Sequence, residues 1–253
     1  MLSNAKHTIE AVDELRQQKT ILLPDIDWVE IPAAKFIYGE KESQQTLHLE
    51  KFYISRYPIT NSQYQSFMDA GGYQDKRYWQ GLIKPEPKEP RWSHSNRPRE
   101  TVNWYEAVAF SRWLTEQLGL AIRLPTEQQW EKAARGTAGL EYPWGELYQS
   151  GYANTNEEQG LQATTAVGVF QQGASPYGVL DMAGNVWEWC LNKYESPEMI
   201  DSDNSGDSRV LRGGSWLLNS MSSRCALRLR LTPDLRRYSI GFRVVCLSPF
   251  TEH

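Results

Sequence analysis

Asp181 and Glu188 are the side chains whose types and spacing could do chemistry, in the run Asp181-Met182-Ala183-Gly184-Asn185-Val186-Trp187-Glu188-Trp189. Trp187 and Trp189 sit two apart, so on a strand they share one face and Glu188 takes the other. Hard cations such as Ca²⁺ take roughly six to eight oxygens from carboxylates and backbone carbonyls, often from a tight turn. The turn at 181–185 could supply Asp181 and carbonyls, with Glu188 completing the set. The same spacing suits a structural role, in which Asp181 caps the turn and Glu188 pairs with an arginine. Spacing leaves both readings open. Other reactive groups are sparse: Cys190, Cys225 and Cys246 have no framework spacing, and His7, His48, His94 and His253 have no ligand spacing.

The elements that must position such groups gather toward the C-terminus. Arg209-Val210-Leu211-Arg212 reads as a strand and is followed by Gly213-Gly214-Ser215-Trp216. Ile240-Gly241-Phe242-Arg243-Val244-Val245 reads as a buried final strand. Between these anchors, from Leu217 to Ser239, there is no Lys, Glu or Gln. Upstream, Thr60 with Gln63, Asn103 with Glu106 and Thr126 with Gln129 each place a cap residue three before a Glu or Gln, predicting three helix starts. Trp104, Ala107, Val108, Ser111, Leu114 and Leu118 fall at helical spacing after the second start, and Gly119 stops it. Trp130, Ala133 and Ala134 form the inner face after the third. Residues 84–100 are a proline-rich surface loop. Strand-like runs at 27–32 and 46–54 near one end, with 240–245 near the other, predict that the termini pair. Helices early and strands late give an α+β class.

Composition bounds the rest. The chain has 253 residues, 40% of them hydrophobic, with ten tryptophans, enough for a core. A net charge of −4 and a pI near 5.7 give no basic footprint for nucleic acid. No apolar run approaches membrane-span length. The first residues are too polar for a secretory signal, and three cysteines fit a reducing compartment. The expectation is a cytoplasmic protein without nucleic-acid or membrane partners. Residues 1–24 are expected to form an amphipathic helix (4–19) and linker, and 25–253 one domain.

The runs RLPTEQQWEKAARG (123–136), YPWG (142–145), GVLDMAGNVWEW (178–189), RVLRGGSW (209–216) and GFRVV (241–245) together resemble the formylglycine-generating-enzyme, or sulfatase-modifying-factor, family. The resemblance covers residues 28–246 and implies a C-type-lectin-like fold with little regular secondary structure. It also implies structural Ca²⁺ on the side chains of Asp181 and Glu188 and the carbonyls of Gly184 and Val186. A second calcium site in the family begins at the position matching Asn154-Thr155, but no aspartate here matches its later ligand. Enzymatic members carry a copper-binding C-x4-C pair just after the GGSW-type motif, where thiolates hold Cu(I). This chain has Leu218 near the first position and Ser222 or Ser223 near the second. Another branch, in sulfoxide synthesis, needs a histidine-rich partner domain that this chain does not supply.

A third branch, the variable proteins of diversity-generating retroelements, is more similar. There, adenines in the codons of a C-terminal segment are rewritten, and the resulting residues exclude Lys, Glu, Gln, Met and Trp. Residues 217–239 obey this except at Met221. Alternation of Cys225, Leu227, Leu229 and Leu231 with Arg224, Ala226, Arg228 and Arg230 gives one strand face of each set, and the pattern leaves open which face is inside. The resemblance implies that the leucines point outward. The expected function is therefore a non-catalytic binding protein, displaying Leu217, Leu218, Ser222, Ser223, Cys225, Leu227, Leu229, Leu235, Arg237, Tyr238 and Ser239 to a protein ligand. An apolar patch rimmed by arginines suits a protein interface.

Overall fold

Three capping boxes set the helices. Thr60, Asn103 and Thr126 each accept the backbone N–H three residues on, and Gln63, Glu106 and Gln129 return a bond to the cap N–H. Removing such a cap costs about 1 kcal/mol. The computed structural model describes residues 22–157 and 161–247; the helix predicted at 4–19 lies outside them. The helices are α1 (Asn61–Asp69), α2 (Trp104–Leu118) and α3 (Glu127–Arg135). Gly119 ends α2 in the left-handed region, at φ 66°, as a glycine cap should.

Strands carry the rest of the frame. They are β1 (Trp28–Ile31), β2 (Ala34–Tyr38), β3 (Gln45–Leu49), β4 (Phe52–Ser55), β5 (Ile122–Arg123), β6 (Trp187–Lys193), β7 (Arg209–Arg212), β8 (Leu229–Leu231), β9 (Ile240–Gly241) and β10 (Val245–Cys246). One sheet runs β1-β4-β10-β5, a second β8-β7-β6-β9, and β2 pairs with β3 as a separate ribbon. In the first sheet Val245 lies opposite Ile54 and Arg123, so the late strand is wedged between early ones. The strand runs near the two ends of the chain therefore pair, as the sequence predicts.

Two apolar clusters fill the interior. The larger joins α1 and α2 to the second sheet through Phe67, Trp104, Phe110, Trp113, Trp189 and Phe242. The smaller lies between α3 and the first sheet, around Trp130, Phe52, Ile54, Val179 and Val210. Leu227, Leu229 and Leu231 are half-buried and pack on the larger cluster. This corrects the outward orientation expected for Leu227 and Leu229. The short β8 pairs with β7, Leu229 opposite Leu211, and that register seats its leucines against the core.

Candidate binding surface

Arginines hold the C-terminal segment in place, and nearly all of them face scaffold carboxylates. The Arg209 guanidinium lies 3.9 Å over the Trp104 ring and donates to Asp203 at 2.8 Å. Arg212, fully buried, pairs with Glu131 and lies 3.5 Å from Glu127. Arg224 donates to Glu40 at 2.7 Å and Glu141 at 3.1 Å. Arg228 takes Glu127 in a two-pronged bond of 2.6 and 2.9 Å, and Arg236 takes Glu106 at 2.7 and 2.5 Å. Planar forks of this kind fix orientation as well as energy. Arg230, paired with Glu195, is the exposed member.

Between the clamps the chain makes a protruding turn at 217–223. Gly214 shapes it: φ is 74°, and a Cβ there would lie 2.8 Å from the Ser222 carbonyl oxygen. The Asn156 N–H donates to the Leu218 carbonyl, and Glu157 accepts from the Ser220 N–H, tying the turn to the preceding loop. Leu217, Leu218 and Met221 are exposed at 43%, 36% and 58%. Beside them Trp216, Tyr238 and Trp92 form a trio with ring centroids 5.3 to 6.1 Å apart. Arg91 stacks on Trp92 at 5.3 Å and on Tyr238 at 4.8 Å.

The residues predicted for the surface therefore divide. Leu217, Leu218, Arg237 and Tyr238 lie on it, with Arg237 exposed and Tyr238 half-buried. Ser222 and Leu235 are half-buried. Ser223 is buried, donating its hydroxyl to the Ser220 carbonyl at 2.8 Å. Ser239 is buried, and its carbonyl accepts the Trp187 N–H. Cys225 is fully buried beneath Arg212, which donates to its carbonyl at 2.7 Å. Leu227 and Leu229 belong to the core edge. Sequence reasoning missed Met221, Arg91 and Trp92. The signal for the last two was an Arg-Trp pair inside a loop otherwise made of proline and polar residues.

The chemistry of the copper-binding members would need a reactive thiol at this surface. Burial pushes both Cys225 and Cys190 far above the usual thiol range, with nearby arginines opposing too weakly to matter. No cysteine stands at 218, 222 or 223.

In this fold the two acids of the expected metal site meet protein partners. Arg243 donates to both Glu188 oxygens, at 2.6 and 2.9 Å, and the Trp130 indole N–H adds a third bond at 2.7 Å. All three side chains are buried. Asp181 accepts the N–H of Gly168 in the preceding loop at 2.6 Å and the Asn185 side-chain amide at 3.5 Å. Burial raises its carboxyl to about 6, against the lowering effects of the Gly168 N–H and Arg243. Gly184 holds the turn at φ 78°, where a Cβ would meet the Asn154 carbonyl oxygen at 2.2 Å. As folded, Asp181, Gly184, Val186 and Glu188 do not fit a divalent cation, because a guanidinium occupies the place that the cation's charge would take at Glu188. Among the described residues no three His, Cys, Asp or Glu side chains converge as a metal centre would require.

An α+β, C-type-lectin-like domain with an arginine-clamped C-terminal turn is the class that this fold and surface define. The chain belongs to the family described as Sulfatase-modifying factor enzyme 1-like domain, whose match spans residues 14–247. It is 32% identical over 262 residues to serine/threonine-protein kinase pkn1 of Chlamydia pneumoniae, covering 93% of this chain and 40% of the relative. It is 30% identical over 263 residues to hercynine oxygenase of Mycolicibacterium smegmatis, covering 85% and 60%. The chain thus spans under half the length of the chlamydial relatives it matches. Among solved structures, Treponema denticola variable protein 1 superposes with a TM-score of 0.69 at 23% identity, over 90% of this chain and 97% of that one. No described helix is long and apolar enough to cross a membrane.

Proposed function

We propose that this chain is a non-catalytic binding module, presenting Leu217, Leu218, Met221, Arg237 and Tyr238 to a protein partner. One observation carries the reading: the turn where enzymatic relatives place a thiolate pair holds exposed apolar side chains, on a backbone locked by buried arginine–carboxylate bonds. Contiguous exposed apolar side chains on a fixed loop suit recognition better than chemistry. The finer reading is that residues 217–239 are diversified. The clamp arginines 224, 228 and 236 then form the unvaried frame, and the turn carries the variation. Sequencing this segment across a population tests it. Substitutions confined to adenine-bearing codons of 217–239 that spare the clamps are expected; a uniform segment contradicts diversification.

A second reading, a formylglycine-generating-type oxidase, is favoured by the name of a relative, formylglycine-generating enzyme of Mus musculus, to which the chain is 27% identical. Incubation with copper and a cysteine-containing sulfatase peptide, followed by mass spectrometry, separates the two. The display reading expects no formylglycine.

A further inference from the structure

A guanidinium taken out of water without a counter-charge is costly. Arg135, Arg209, Arg212, Arg236 and Arg243 each reach a carboxylate within ion-pair distance. Arg112 on α2 and Arg123 on β5, both half-buried, reach none among the described residues. Glu116, one turn beyond Arg112, is taken by Arg77 at 2.9 Å. Burial pulls both guanidiniums below the usual arginine range, Arg123 to about 10, with no carboxylate opposing it. Arg123 gives its Nη1 to the Leu124 carbonyl at 2.9 Å, and Arg112 gives its Nη1 to the Tyr78 and Gln80 carbonyls at 3.1 and 2.7 Å. Nε and Nη2 of both have no protein partner among the described residues, and none of these four atoms is sealed from solvent.

Both arginines line a cavity of about 350 Å³ between α2, β5 and residues 200–202, within the size range of small-molecule sites. Val108, Ile122, Leu124 and Leu191, all buried, give it an apolar floor. Asp201 stands at the rim, exposed and outside ion-pair distance of either guanidinium. Open N–H edges on two guanidiniums match a planar carboxylate, and the floor matches an apolar body. Asp201 opposes a second negative charge, since like charges brought together cost binding energy. The lining therefore favours one anionic head on an apolar body over a dianion.

We infer that this cavity binds a small organic monocarboxylate, its head on Arg123 and Arg112 and its apolar body on the floor beneath. The site shares no residue with the C-terminal turn and does not rest on the function proposed for it. The test is calorimetric titration of the full chain with hexanoate, octanoate, benzoate and phenylacetate. Acetate (head without body), hexanol (body without head) and inorganic phosphate serve as controls. At least one of the four should bind saturably, and each control should bind roughly tenfold more weakly or not at all. Arg123→Gln should abolish binding, and Arg112→Gln should weaken it roughly tenfold. Asp201→Asn should tighten it by relieving the like charge at the rim. Should Arg123→Gln not fold, Ser202→Trp, which fills the cavity from a half-buried loop position, should abolish binding in a folded protein. Failure of all four to bind, hexanol binding as tightly as hexanoate, phosphate binding more tightly than any of the four, or full affinity in Arg123→Gln or Ser202→Trp would each overturn the assignment.

Discussion

Two stretches of the C-terminal segment have the same vocabulary of leucine, serine and arginine and opposite fates. At 217–221 the apolar side chains stand in solvent, and at 225–231 they lie against the core. What separates them is backbone partnership. Residues 229–231 pair with β7, which is buried throughout, so one strand face has to go inside. Residues 217–221 follow a tight double-glycine turn with no sheet partner among the described residues, tied to the preceding loop at Asn156 and Glu157. Leucine content therefore says little about display; the strand register and the arginine partners decide it.

The comparison breaks first at the clamps. Glu131→Ala strands buried Arg135 and leaves buried Arg212 only its 3.5 Å ion pair with Glu127, and should cost about 3–5 kcal/mol in chemical denaturation. Glu188→Ala should cost a similar amount by leaving Arg243 and Trp130 unpaired. Because Glu188 is held by Arg243 and Asp181 by the Gly168 N–H, chelator should leave the melting temperature of the wild type and of Glu188→Gln unchanged. A chelator-dependent drop in the wild type alone would restore a metal to this turn.

Asp181 gives a pH signature of the anchored region. Its folded carboxyl is raised from 3.8 to about 6, so across that window the folded state holds the extra proton. Stability from this group is therefore lost as pH rises from about 4 to 6, by up to about 3 kcal/mol for a shift of that size. Asp181→Asn should gain on the wild type at pH 7, and the gap should close toward pH 4. A constant difference across that range would show that burial does not set this carboxyl.

Much of the anchored frame was legible because its causes are local. The capping boxes at Thr60, Asn103 and Thr126 declare their helices through residues three apart, and the terminal strand through its β-branched run. The spacing of Trp187, Glu188 and Trp189 placed the glutamate opposite the tryptophans. It left open whether Arg243 or a cation would meet it, because that partner is 55 residues away. The alternation at 224–231 likewise could not report that Glu127, about a hundred residues upstream, receives Arg228. Trp92 joined the surface only through contact with Trp216 and Tyr238, which no periodicity signals.

The smaller effects sharpen the comparison itself, and the most direct measurement is thermal and denaturant unfolding of two double variants side by side. Leu227→Ala with Leu229→Ala should lose about 2 kcal/mol per site, the low end for buried leucine, because both pack on the main cluster. Leu217→Ser with Leu218→Ser should stay within about 0.5 kcal/mol of the wild type, as surface substitutions do. A loss at 217 and 218 equal to that at 227 and 229 would contradict a displayed turn on a clamped frame.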